Sequence, residues 1–242
     1  MKFTMRYFGG KARTAKYITE FLLNNISKDR YFIDLFCGSC NITSKISSKH
    51  GLVMANDVHR ELICMWKEAV NGREFPINVS EEDFNNARSS NDSALKAFIG
   101  FGGSFAGIYF SGYARGGGRN YFREAKDGIA KKIKTMSNVI FSNKSYQDVN
   151  LPANSVIYCD IPYKNAVGYT QGSFNHEEFY AWCVDKRSEG HDIFVSEYKQ
   201  NLPDGWIVLW EKESRKSVRN KDGEQETTIE IIMTPLLGDN TW

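Results

Sequence analysis

Asp160-Ile161-Pro162-Tyr163 is the stretch of this chain whose side chains could act together on one small molecule. It follows Ser155-Val156-Ile157-Tyr158-Cys159, a short apolar run that reads as a buried strand. A carboxylate, a rigid proline and an aromatic ring at the end of a strand suit one task. The carboxylate can hold a flat heterocycle by its exocyclic amine while the ring stacks on its face.

Further candidates fall where open α/β sheets bind ligands, at the carboxyl ends of strands. In Asp34-Leu35-Phe36-Cys37-Gly38-Ser39-Cys40, small residues make a turn between a strand and a helix, so a ligand could approach the backbone closely. The same residues also make an ordinary tight turn. The stretch has no Gly-x-Gly-x-x-Gly fingerprint and no phosphate-loop Lys-Ser or Lys-Thr pair, so NAD, FAD and P-loop nucleotides are not favoured. Asp57, in Asn56-Asp57 after the next strand, can accept both hydroxyls of a ribose, or can simply shape a turn. Asp148, in Ser145-Tyr146-Gln147-Asp148, can accept from an adenine amine or cap a turn. Cys37 and Cys40 form a CxxC with no second ligand pair, so they read as small loop residues and no metal is expected.

The elements that must position these residues alternate. A helix is expected over Arg13–Asn25, a strand over Tyr31–Phe36 and a helix from about Asn41. A strand over Leu52–Ala55 and a helix carrying Leu62, Ile63, Met65 and Trp66 follow. This β-α-β-α start predicts a doubly wound, Rossmann-like α/β sheet. From 72 to 136 the pattern changes to polar helices over Glu81–Ala87 and Ala94–Phe98, a Gly- and aromatic-rich stretch from Phe101 to Tyr121, and a basic helix over Arg123–Lys134. This region reads as an insertion, too aromatic for free coil. The sheet pattern returns with Val139–Phe141, Val156–Cys159, Ile193–Glu197, Trp206–Trp210 and Thr228–Met233. A helix is expected over Asn175–Arg187, with Asn175 as its cap, and a charged loop or hairpin over 211–226.

The chain has 242 residues, 41% hydrophobic and 25% charged, which is enough for one domain with an insertion. A net charge of +2 is too mild to announce a nucleic-acid partner, so any such face must be local. Between Arg115 and Lys134 lie Arg115, Arg119, Arg123, Lys126, Lys131, Lys132 and Lys134 against only Glu124 and Asp127, beside Tyr109, Phe110, Tyr113, Tyr121 and Phe122. Cations can neutralise phosphates, and arginines or aromatics can reach base edges. The competing reading is a solvated helix face over a hydrophobic hairpin. Arg115 and Arg119, in a glycine-flanked loop, favour nucleic acid; Arg215 sits in a second basic loop. No run is long enough to span a bilayer, the opening residues lack a signal peptide's apolar region, and five cysteines make no disulfide framework. A cytoplasmic protein is expected.

Together these stretches resemble the Dam-type, alpha-class adenine-N6 DNA methyltransferases of the kind carried by phages and prophages. Tyr7-Phe8-Gly9-Gly10-Lys11 is similar to the family's aromatic-x-Gly-Gly-Lys opening. Phe36-Cys37-Gly38-Ser39-Cys40 is similar to its Phe-x-Gly-x-Gly cofactor loop, with Cys40 for the last glycine. Asn56-Asp57 matches the pair after strand two, and Asp160-Ile161-Pro162-Tyr163 the Asp-Pro-Pro-Tyr motif, with Ile161 for the first proline. The motifs stand in the alpha-class order. The resemblance implies S-adenosylmethionine as cofactor, held by Tyr7, Gly9, Lys11, Asp34, Phe36, Gly38, Ser39, Asp57, Asp148 and Asp160. It implies catalysis by Asp160, Ile161, Pro162 and Tyr163 on an adenine flipped from double-stranded DNA. Contacts to that DNA are expected from Tyr113, Arg115, Arg119, Tyr121, Lys126 and Arg215. Residues 1–71 and 137–242 would form the catalytic domain, and 72–136 the recognition insertion. A monomer or weak dimer is expected, with no membrane partner. Other acceptors stay open on the motif alone: cytosine N4, RNA adenine or a protein glutamine. So does a catalytically weak or dead DNA-binding relative.

Overall fold

A computed structural model describes Met5 and residues 7–164, 174–219 and 225–237, the side chains of 214–219, 225 and 226 excepted. The elements are α1 (Ala15–Asn25), β1 (Phe32–Asp34), α2 (Thr43–Ile46), β2 (Val53–Asn56), α3 (Arg60–Val70), α4 (Glu81–Ala87), α5 (Ser93–Gly102) and α6 (Tyr121–Ile133). They continue with β3 (Ile140–Ser142), β4 (Val156–Cys159), α7 (His176–Ser188), β5 (Asp192–Tyr198), β6 (Trp206–Arg219) and β7 (Gln225–Pro235). The strands form one sheet in the order β3-β2-β1-β4-β5-β7-β6. Strand β2 runs parallel to β3, and β4 to β5; β7 is antiparallel to both β5 and β6. This mixed, mostly parallel α/β sheet is the Rossmann-like architecture expected. By compactness the chain divides into residues 1–29 with 34–150, and 30–33 with 151–242.

In the first unit α4, α5 and α6 begin where polar side chains can take their unpaired N–H groups. Ser80 and Asp83 form a reciprocal capping box on α4, Asp92 caps α5 through Leu95 N at 3.1 Å, and Asn120 caps α6 through Arg123 N at 2.8 Å. Residues 72–136 share one core with α3: Leu62, Met65 and Trp66 belong to the same buried cluster as Phe84, Phe98 and Phe122. Helix α5 runs through Gly102, past the expected Phe98, into the Gly-aromatic stretch. Gly100 explains the extension. A Cβ there would lie 2.4 Å from the Tyr109 ring and 2.6 Å from that of Phe110, so the helix keeps a glycine to let two rings pack on its backbone.

In the second unit β4 is buried along its whole length. The backbone N–H of Val156 bonds the Tyr31 carbonyl at 2.8 Å, and Cys159 stands level with Val195 of β5. Asn175 caps α7 as expected, through Glu178 N at 3.2 Å. Strands β6 and β7 are much longer than the expected Trp206–Trp210 and Thr228–Met233, and pair from Trp206 with Pro235 out to Arg219 with Gln225. The charged residues after Trp210 therefore extend a hairpin, because alternating side chains on a paired ribbon can stay solvated without breaking the ladder.

Candidate active site

Two constellations stand out, one in each unit. The first is built around the turn after β1. Its Asp34 is buried, and one carboxylate oxygen accepts from both Thr43 N (3.1 Å) and Thr43 Oγ1 (2.5 Å), pinning the start of α2. Gly38 and Cys40 both lie in the left-handed region, at φ 44° and 53°. A Cβ on Gly38 would come within 2.9 Å of the Tyr7 ring, so the glycine leaves the place that ring occupies. Cys40 takes the same backbone region without glycine's freedom, a strain of about 1–3 kcal/mol that the surrounding loop must hold.

Asp57 is the anchor of this turn. Its Oδ2 accepts from Gly38 N and its Oδ1 from His59 N, each at 2.9 Å. Burial pushes its carboxyl up, and the two N–H groups work against that rise. Each oxygen keeps a second lone pair. Asn56 beside it bridges three segments, donating to Leu35 O and Lys144 O and accepting from Ser142 Oγ. Asn143 Nδ2 donates to the carbonyls of Asp57 and Val58.

The carbonyl side of the turn is held by two residues that the sequence did not single out for it. Trp66 Nε1 donates to Gly38 O at 2.9 Å, and the buried ammonium of Lys132 donates to Ser39 O. That ammonium also lies 5.6 Å from the Trp66 ring centre. Burial lowers the Lys132 pKa to about 8. Lys132, counted above among the basic residues of a DNA-facing helix, thus turns inward to the 36–40 turn. The Cys37 thiol is held well above its ordinary value by burial and by neighbouring Cys40, which keeps it from acting as a thiolate. Lys11 is buried, Gly9 exposed, Phe36 half-buried at 5.9 Å from the Tyr146 ring, and Asp148 exposed.

The second constellation surrounds Asp160-Ile161-Pro162-Tyr163, directly after β4. Asp160 is half-buried and Ile161 wholly buried. The Pro162 carbonyl lies 2.8 Å from His176 Nε2, at the first turn of α7. Tyr163 donates its hydroxyl to Glu230 Oε1 at 3.0 Å, and its ring meets Tyr198 edge-on at 4.6 Å. Burial, then the Asp160 and Glu230 carboxylates, push its phenol well up, so it remains a donor. Lys164 N donates to Glu197 Oε2 at 3.1 Å. His176, Glu197 and Glu230 went unmarked in the sequence; nothing near them spelled a motif.

The expected DNA contacts divide. Arg115 and Arg119 are exposed, and Arg119 Cζ lies 5.1 Å over the Tyr121 ring. A groove of about 520 Å3 between the starts of α4 and α6 is lined by Ser80, Asp83, Tyr113, Arg119, Asn120 and Tyr121 among others. Tyr113 is half-buried and donates its hydroxyl to Val79 O at 2.8 Å. Each of the three cations has an acid: Arg115 pairs with Glu81, Arg119 with Glu124 and Lys126 with Glu74. The side chain of Arg215 lies outside the described residues.

Comparison with known proteins adds to this geometry. No curated protein matches the chain. An S-adenosylmethionine-dependent methyltransferase of Anabaena variabilis is similar at 11% identity and a TM-score of 0.40, over 96% of this chain and 88% of that one. A tRNA methyltransferase of Aquifex aeolicus is similar at 12% identity and a TM-score of 0.37, over 93% and 69%. Residues 7–95 match the model of the D12 class N6 adenine-specific DNA methyltransferase family, a stretch that runs from Tyr7 through the 36–40 turn and Asp57 into α5 and ends before Asp160.

Proposed function

We propose that the protein methylates the N6 amine of an adenine flipped out of double-stranded DNA, with S-adenosylmethionine as donor. In this reading Tyr7, Gly9, Lys11, Phe36, Gly38, Ser39 and Asp57 line the cofactor site. Asp34 shapes it from below, and Asp148 and Asp160 complete it. The observation that carries the reading is the family match over residues 7–95, the same stretch in which Gly38 lies against the Tyr7 ring and donates to Asp57.

The residues present suit the cofactor. Asp57 retains lone pairs for ribose hydroxyls, Lys11 offers a cation for the methionine carboxylate, and Tyr7 and Phe36 offer apolar faces. When bound, S-adenosylmethionine supplies an electrophilic methyl group on a sulfonium. The protein's own work is on the acceptor. Flipping an adenine costs a few kcal/mol, which stacking on the Tyr163 ring offsets by about 1–3 kcal/mol. The adenine amine is a weak nucleophile because its lone pair is delocalised. Donating its hydrogens to the Asp160 carboxylate and the Ile161 carbonyl pulls it toward tetrahedral geometry and balances the positive charge that grows on nitrogen. With the donor held there, the nitrogen lone pair would bond the methyl carbon as its bond to sulfur breaks, the electron pair staying on sulfur as a neutral thioether, and the surplus amine proton would pass to water. No covalent enzyme intermediate is required. Residues 72–136 act as the recognition insertion, with Arg115, Arg119, Tyr121 and Lys126 toward DNA, while Arg215 reaches the backbone.

The test is transfer of labelled methyl to DNA, followed by digestion to nucleosides. Wild-type protein should yield N6-methyladenine, and Asp160→Ala should lose at least about 10²–10³-fold in rate. Label on cytosine, or only on RNA or protein, would replace the acceptor; near-normal transfer by Asp160→Ala would overturn the mechanism.

A further inference from the structure

The 160–164 segment is held at every residue after Asp160, although it belongs to no helix or strand. Ile161 is wholly buried, Pro162 O meets His176, Tyr163 OH meets Glu230, and Lys164 N meets Glu197. Isoleucine in place of a second proline leaves one more backbone torsion free. The rigidity such a loop needs must then come from outside it.

Glu197 is the most constrained of these partners. It stands near the end of β5 and is wholly buried. Its Oε2 accepts from Lys164 N at 3.1 Å, while Oε1 accepts from Tyr198 N at 2.7 Å and from Asn201 Nδ2 at 3.1 Å. Asn201 Nδ2 also lies 3.4 Å from Lys164 O, so one amide touches both sides of the clasp. Burying a carboxylate is costly unless donors surround it. Three N–H donors converge on two oxygens here, which a neutral side chain such as glutamine cannot match, because its NH2 would face a donor. Burial raises the Glu197 pKa even against these bonds. Neither packing nor strand pairing calls for an acid at this place.

We propose that Glu197, with Asn201, is the positioning residue that sets the Asp160–Tyr163 segment for methyl transfer. Glu197 acts through the Lys164 amide and does not touch the reacting atoms. The inference rests on the functional reading above, and its test separates the two.

One arm uses no activity. In 15N-lysine-labelled full-length protein, the Lys164 amide should exchange slowly in wild type, and at least about tenfold faster in Glu197→Ala and in Asn201→Ala, with the bulk of the amides unchanged. The other arm is steady-state methylation. Glu197→Ala should lose about 30-fold or more in kcat with the KM for S-adenosylmethionine within about twofold. Glu197→Gln, which keeps one acceptor oxygen, should lose less, and Asn201→Ala less again. Wild-type protein inactive on DNA, with the exchange pattern intact, would sink the functional reading and leave the clasp standing. An unprotected Lys164 amide in wild type, or kcat within about threefold of wild type in both Glu197→Ala and Asn201→Ala, would overturn the positioning role.

Discussion

Tyr163 shows how one residue can serve a face and an edge at once. Its hydroxyl is committed to Glu230, which fixes the ring's rotation, and in the proposed reading the ring's face is what stacks on the base. Asp57 spends one lone pair of each oxygen on the turn, and in the proposed reading the other pairs take the ribose hydroxyls. Asp57→Asn tests that division. The amide would set an NH2 against either Gly38 N or His59 N, and leaving a buried donor unpaired costs about 1–3 kcal/mol. S-adenosylmethionine affinity should fall about tenfold or more by titration calorimetry, while Glu124→Gln, remote from the turn, should leave it unchanged. Asp57 was legible in the sequence because it follows a strand in a pair with Asn56. Its partners were partly legible, since Gly38 belongs to a neighbouring motif. Glu197 was not legible: it lies 33 residues from Lys164, and the bond goes to a backbone N–H that carries no side-chain signature. Departures from the family pattern were visible as letters, but their meaning came from geometry. Cys40 occupies a backbone region suited to glycine, and Ile161 is a buried side chain.

At the scale of elements, the helix bounds were legible to within about two residues, as at Asn25 and Ala87, with the end of α5 the exception. Asn175 announced α7 by its chemistry, whereas α5 continued past Phe98 because two distant rings fill the space beside Gly100. Periodicity describes one element's own sequence and is silent about what another presses against it. Helix α6 is the instructive case. Its composition reads as a basic surface, yet Lys132 crosses 93 residues of sequence to hold the 36–40 turn. The same helix therefore also supports the 36–40 turn. Because burial lowers the Lys132 pKa to about 8, folded protein binds fewer protons than unfolded protein between pH 8 and 10.5. The sign follows: this group disfavours folding while charged, and stability attributable to it rises with pH across that window. Lys132→Met should remove the effect. The unfolding free energy of wild type relative to the variant should increase by on the order of 3 kcal/mol from pH 7.5 to 10.5 in urea titrations, and a flat difference would refute the assignment. At pH 7.5 the variant should also bind S-adenosylmethionine more weakly, because Ser39 O loses its donor.

At the scale of the whole molecule, a net charge of +2 leaves little long-range attraction for DNA. Affinity must then come from local cations, and in the 72–136 stretch those cations are not idle. Arg115, Arg119 and Lys126 each pair with a glutamate, so docking on phosphate means exchanging one anion for another. The Arg115–Glu81 pair is open to solvent on both sides and is screened by salt, whereas Arg119 holds Glu124 through two parallel bonds, a firmer pair to exchange. The paired state also moderates attraction to any passing polyanion. Arg119 is the best placed to test this, since it lies over Tyr121 at the edge of the groove that Ser80 and Asn120 also line. If it contacts a phosphate, Arg119→Ala should weaken DNA binding several-fold at 100 mM salt and reduce the slope of log K against log salt by about one. Glu124→Gln should act in the opposite direction, tightening binding to unrelated sequences, because it frees the same guanidinium. If Arg119 instead reads a base edge, its loss should weaken binding about 10–100-fold on the preferred sequence alone and leave the slope nearly unchanged. Fluorescence anisotropy across a salt series, on duplexes of two sequences, separates these outcomes. An unchanged affinity and slope in Arg119→Ala would remove this loop from the DNA interface.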